Sequence, residues 1–184
     1  MNQEKYTRKT LEAFQTAQRL AADKGNQYLT PDHLFYALLT QQEGLIGSIF
    51  TAMGVDCRSL AQEVMALIDR LPRISGGSGE VYASAETSKV IATAEKTAEK
   101  LHDDYVSVEH LMLAIFGESG SDLKRLLQDH GVTRARFEQE LKNVKSQPVT
   151  SDNPEDTYDA LKKYGTDLVQ RAREKELDPV IGRD

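Results

Sequence analysis

Thr30-Pro31-Asp32-His33-Leu34 and Ser107-Val108-Glu109-His110-Leu111 are one five-residue pattern written twice, 77 residues apart. Holding that offset without a gap also pairs Thr10 with Thr87, Ala17 with Ala94, Ala21 with Ala98, Tyr28 with Tyr105, Ala37 with Ala114, and Gly54-Val55 with Gly131-Val132. A single register kept over so many positions marks an internal duplication, and each copy is the unit whose local structure must be read.

In each copy the first helix carries small and apolar residues at helical spacing. These are Ala13, Ala17, Leu20 and Ala21, then Val90, Ala94, Ala98 and Leu101. The quoted pattern opens the second helix. Thr30 or Ser107 stands at the cap, Pro31 at the first helical position, and Asp32 or Glu109 beside the positive end of the helix dipole. The helix bodies, Leu34-Phe35-Tyr36-Ala37-Leu38-Leu39 and Leu111-Met112-Leu113-Ala114-Ile115-Phe116, are apolar nearly all round and predict helices at the centre of a bundle. A third helix follows over Leu45 to Met53 and over Leu123 to His130, each ended by a glycine suited to a left-handed cap, Gly54 or Gly131. A fourth starts at Asp56 or Thr133.

The reading is therefore an all-α, pseudo-twofold domain over residues 1–145, made of two four-helix halves at about 5–68 and 82–145, with no strand. The halves are joined by Leu71-Pro72-Arg73-Ile74-Ser75-Gly76-Gly77-Ser78-Gly79, whose composition favours a loop. After Lys145 the polar, proline-punctuated Ser146-Gln147-Pro148-Val149-Thr150-Ser151-Asp152-Asn153-Pro154 reads as a linker, 146–155. A helical segment follows over 156–184, and the sequence stops abruptly at its end.

Composition excludes several functions. The 184 residues carry a formal charge of −6, with both the repeat region and the C-terminal segment mildly acidic. No basic face is dense enough to neutralise nucleic-acid phosphates. No apolar run approaches the roughly 18 residues that a membrane span needs, and MNQEKYTRKT has neither the apolar stretch nor the cleavage site of a secretion signal. A cytoplasmic location is expected. The single cysteine, Cys57, cannot form an internal disulfide and is read as a helix-surface residue. His33 and His110 form a symmetric pair of metal-ligating side chains. Each falls in the first turn of a buried helix, where an imidazole caps or packs, and His102 and His130 lie outside any i, i+3 or i+4 ligand pattern, so no metal site is expected. No Ser-His-Asp or Cys-His grouping is legible, and G-x-x-x-x-G-K-[ST] does not occur. Gly76-Gly77-Ser78-Gly79 lacks the following lysine and is a spacer. Neither catalysis nor a bound cofactor is expected of this chain.

The tandem repeat, together with Leu177-Asp178-Pro179-Val180-Ile181-Gly182-Arg183-Asp184, resembles the Clp family of ATP-driven unfoldases. Its members join an N-terminal repeat domain of this length and pattern to AAA+ ATPase domains. Asn153-Pro154-Glu155-Asp156-Thr157-Tyr158-Asp159-Ala160-Leu161-Lys162-Lys163-Tyr164 and Leu71-Pro72-Arg73-Ile74-Ser75-Gly76 are similar to the ClpB-type disaggregase branch rather than to the protease-coupled ClpA and ClpC branches.

The resemblance implies a substrate-recognition domain for exposed apolar segments of unfolded or aggregated proteins. In the full-length protein it implies a hexamer, ATP and Mg²⁺, and a partner chaperone of the seventy-kilodalton class; the isolated region would be a monomer. It further implies that backbone around Val180, Ile181 and Gly182 lies against adenine once the ATPase domain is complete. Thr7, Asp103 and Glu109 match positions of a polar surface involved in chaperone action, with Ile91 as the apolar candidate beside them. Each has a plainer reading: Thr7 as a cap, Asp103 in a solvated loop, Glu109 complementing a helix dipole, and Ile91 in the core. Ile91 follows Val90 by one position, about 100° around the helix, which leaves a groove-lining position open to it. The alternative function is docking of a folded adaptor in a protease-coupled unfoldase; a zinc enzyme is a third reading.

Overall fold

The 77-residue register reappears in three dimensions in the computed structural model, which describes residues 3–74 and 80–144. The first copy contains α1 (Arg8–Asp23), α2 (Pro31–Thr40), α3 (Leu45–Ala52) and α4 (Cys57–Asp69), and the second α5 (Ala85–Lys100), α6 (Val108–Glu118), α7 (Ser121–Asp129) and α8 (Arg134–Val144). Helix corresponds to helix in order, and the starts of α1, α2 and α4 lie 77 residues before those of α5, α6 and α8. No helix among the described residues is long and apolar enough to cross a membrane. The expected linker, the helical segment that follows it, and Ser75–Gly79 lie outside the described residues.

The first and fourth helices of each copy start where a side chain supplies an acceptor for a free N–H group of the first turn, whereas α3 and α7 start at Gly44 and Gly120. Thr7 and Ser84 cap α1 and α5, accepting the N–H groups of Thr10 and Thr87 at 3.3 and 3.1 Å. Asp56 and Thr133 do the same for Ser59 and Arg136 at 3.1 and 3.2 Å. Gly54 and Gly131 follow α3 and α7 with φ of 83° and 73°, a left-handed conformation that glycine reaches without steric cost.

α2 and α6 form the centre. They pack against one another, with α1 covering α2 and α5 covering α6. Ala13, Ala17 and Ala94 have no exposure, so the alanine stripes let these covering helices approach closely. Phe137 of α8 closes the far end, edge-on to Phe50 at 6.1 Å and tilted on Phe116 at 5.6 Å. Leu101 departs from the expected apolar stripe. It is 49% exposed because α5 stops at Lys100, and the cap residue that follows turns away from the core.

The expectation of a strand-free fold is corrected. β1 (Tyr28–Leu29) and β2 (Tyr82–Ala83) pair in parallel, with Tyr28 opposite Tyr82 and Leu29 opposite Ala83. Tyr6 and Val106 form a second parallel bridge. Under the repeat register Tyr6 corresponds to Ala83, and Leu29 to Val106, so these are two copies of one contact. In each, the residues entering one half pair with those preceding the central helix of the other half. Two-residue strands show no alternation to read, and their pairing crosses between the copies.

Candidate functional site

Tyr6–Val106 marks the seam at which three of the four candidate residues meet. Thr7 donates its N–H to the Val106 carbonyl at 3.1 Å, and Val106 precedes Ser107, the cap of α6. Within α6, Ser107 N–H donates to His110 Nδ1 at 2.8 Å, and His110 Nε2 lies 2.7 Å from Asp103 Oδ2. A backbone N–H only donates, so Nδ1 is the acceptor and Nε2 carries the proton toward Asp103. Ser107 Oγ donates to Glu109 Oε1. Thr7, Ser107, Glu109 and His110 have no exposure, and Asp103 has 9%.

The expected solvated position of Asp103 is therefore corrected, as is the placing of Thr7, Asp103 and Glu109 on a polar surface. The loop between α5 and α6 folds inward because the buried imidazole of His110 needs an acceptor, and Asp103 supplies it. Thr7 is the helix cap that its sequence position suggests. An alanine at Asp103 or Glu109 would break a buried network, at a higher cost than the loss of an ordinary cap.

Ser107, His110 and Asp103 line up as hydroxyl, imidazole and carboxylate, a grouping no spacing rule made legible. The serine is not poised as a nucleophile. Its Oγ lies 3.1 Å from an Nδ1 that already accepts the serine's own N–H, and it donates to Glu109 in a site closed to solvent. The first repeat repeats the construction with Asn26 in place of Asp103 and Thr30 in place of Ser107. Thr30 N–H donates to His33 Nδ1 at 3.0 Å, and His33 Nε2 donates to Asn26 Oδ1 at 2.9 Å. Burial pushes His33 down to about 4, so that ring is neutral at neutral pH. Both imidazoles spend both nitrogens on fixing a helix start, and neither offers a lone pair to a metal.

Ile91 lies on α5, half-buried and packed against the core. Four residues along the same face, Glu95 accepts the Tyr6 hydroxyl at 2.6 Å. Burial and that carboxylate push the Tyr6 phenol up. Tyr6 in turn meets Phe14 edge-on at 6.1 Å, and Phe14 is the counterpart of Ile91 in the repeat register. Ile91 thus borders the seam with one side open. Tyr28 and Tyr82, each 50% exposed on the paired strands, were missed by the sequence reading, for their exposure follows from the pairing of the two halves. Cys57 is half-buried at the first position of α4, with Sγ 3.7 Å from the Gly47 carbonyl. Val180, Ile181 and Gly182 lie outside the described residues.

A profile described as the Clp repeat (R) N-terminal domain matches residues 5–130. The chaperone protein ClpB of Bacillus cereus is 43% identical over 188 residues, an alignment that takes in 100% of this chain and 22% of the relative. That of Porphyromonas gingivalis is 42% identical over 185 residues, covering 100% and 21%. The chain spans about a fifth of the length of these curated relatives. Among solved structures, the N-terminal domain of Hsp104 from Candida albicans superposes with a TM-score of 0.73 at 19% identity, over 82% of this chain and 98% of that one. The N-terminal domain of ClpD from Arabidopsis thaliana gives 0.60 at 20% identity, over 79% and 98%. These two are likenesses of fold. With two copies of one helical unit, the same buried cap network at the head of each central helix, and the profile match across both, the chain belongs to the family of Clp repeat N-terminal domains.

Proposed function

We propose that this chain is the substrate-recognition region of a ClpB-type disaggregase, binding exposed apolar segments of unfolded or aggregated polypeptides and passing them to an AAA+ ring. The observation that carries this reading is the division of labour at the seam. The polar candidates are consumed inside the fold, whereas Ile91 stays partly open beside the crossing of the two halves. A partly open aliphatic side chain binds without directionality, which suits a domain that meets many sequences. Thr7, Asp103 and Glu109 serve this site by holding the crossing and the start of α6 in place.

In the whole protein the same reading places ATP and Mg²⁺ in the ring domains, with Val180, Ile181 and Gly182 against adenine, a homohexameric assembly, a seventy-kilodalton partner chaperone and a cytoplasmic setting. The identity to ClpB chaperones supports it. The test is binding of the chain to reduced, carboxymethylated α-lactalbumin, which stays unfolded, against the native protein. Wild type is expected to bind the unfolded form only. Ile91→Ser is expected to weaken that binding while lowering stability by about 1–2 kcal/mol, below the cost of truncating a fully buried aliphatic residue. Undiminished binding by a folded Ile91→Ser chain would show that the site lies elsewhere.

A further inference from the structure

The two halves use one design, and they differ at a place where a side chain is missing. In one half Tyr6, at 2% exposure, fills the space between its bridge to Val106 and α5 and hands its hydroxyl to Glu95. In the other half the corresponding residues are Ala83 and Gln18, both exposed. Ala83 carries only a methyl group, and beside it lies an open groove of about 620 Å³ whose lining includes Gln18, Arg19 and Ala22 of α1 and, next to Ala83 in the chain, Glu80, Val81 and Tyr82. The chain itself thus shows, once, what occupies this position: a phenol ring whose hydroxyl meets a polar side chain on the helix.

The backbone beside the groove is also suited to company. β2 spends the N–H groups of Tyr82 and Ser84 on the Gln27 and Leu29 carbonyls, at 2.9 and 3.0 Å. Alternation turns the N–H of Ala83 to the opposite side, away from β1, as expected at a sheet edge. An extended segment laid along that edge gains main-chain hydrogen bonds whatever its sequence, with a side-chain pocket providing preference. Tyr82, half exposed, has its hydroxyl tied to Glu80 Oε1 at 2.6 Å, which holds the ring at the groove wall.

We propose that an extended polypeptide lies along the outer edge of β2 and places a tyrosine or phenylalanine ring over Ala83 against Gln18, occupying the place that Tyr6 fills in the other half. This rests on the reading that the domain takes unfolded polypeptides, and it names a second site and its preferred residue.

The experiment uses the whole chain and a fluorescein-labelled, end-capped nonapeptide of Ser, Thr and Val with a central Tyr, beside the same peptide with a central Ala. Fluorescence anisotropy is expected to show the Tyr peptide binding about tenfold more tightly, the ratio for burying most of an aromatic ring. Gln18→Glu with Ala83→Tyr copies the Tyr6–Glu95 contact into the groove, so it is expected to keep the fold, raise the urea midpoint and reduce Tyr-peptide binding about tenfold. Ala22→Arg, on an exposed helical position, blocks the same groove and keeps the test decisive should the double variant not fold. Equal binding of the two peptides, or unchanged binding by folded Ala22→Arg, overturns the inference. If unfolded α-lactalbumin still binds wild type and is lost with Ile91→Ser, that result leaves the recognition reading standing. If wild type binds neither peptide nor unfolded protein, the inference and the reading fall together.

Discussion

Asp32→Asn is expected to stabilise this protein at neutral pH, and the gain should vanish in acid. Asp32 sits in the first turn of α2, where partial burial, and secondarily the charge of Asp122 in the first turn of α7, push its carboxyl from 3.8 to about 6. A carboxyl whose folded pKa is raised binds its proton more tightly in the folded state. Its contribution is therefore present below about pH 4 and is lost as pH rises through 6. Two units correspond to about 3 kcal/mol as a ceiling, at 1.36 kcal/mol per unit. The dipole of α2 favours the carboxylate by up to about 1 kcal/mol, and partial exposure screens the rest. A net gain of about 1–2 kcal/mol for the amide at pH 7 remains.

The next residue runs the other way. His33, lowered from 6.5 to about 4 by burial, gives up its proton on folding, so its contribution grows as pH rises from 4 to 6.5. Across pH 4–6 the two slopes nearly cancel in the wild type, because folding releases one proton at His33 and takes up one at Asp32. In Asp32→Asn the His33 slope of up to about 1.4 kcal/mol per pH unit is left uncompensated. Urea unfolding followed by circular dichroism at half-unit steps from pH 4 to 7.5 measures both curves. A difference between variant and wild type that does not change with pH, or a variant less stable at pH 7, would refute the reasoning.

Other substitutions test the packing directly. Asp103→Ala is expected to cost about 2–3 kcal/mol in urea unfolding, since it leaves the buried His110 Nε2–H without its acceptor, whereas Asp103→Asn should cost less because Asn26 performs that task in the first repeat. His102 has φ of 60° where its counterpart Gly25 has 71°, so His102→Gly should raise stability by about 0.5–1 kcal/mol; a loss would show that the histidine side chain contributes more than its backbone costs. Phe137→Ala removes the ring between Phe50 and Phe116 and is expected to cost about 3–5 kcal/mol with two-state unfolding preserved.

The sequence by itself determined the duplication, the eight helices among the described residues and most of their ends, because these follow from local rules. A cap acceptor such as Asp56 or Thr133 acts within its own first turn, Gly54 and Gly131 have conformations no neighbour need impose, and a helix body as apolar as Leu34–Leu39 has only the interior to go to. What only the tertiary structure decided lies where one half meets the other. Asp103 reads as a loop carboxylate and Glu109 as a helix-dipole partner until the buried His110 and Ser107 take hold of them. The Tyr6–Val106 and Leu29–Ala83 bridges join residues 100 and 54 positions apart, with no periodicity to announce them. The open groove beside Ala83 is visible only against its filled counterpart at Tyr6. Propensity and capping act over a turn or two of one chain segment, whereas burial of a polar side chain depends on which partner the folded chain brings within hydrogen-bond reach, and no single segment encodes that distance.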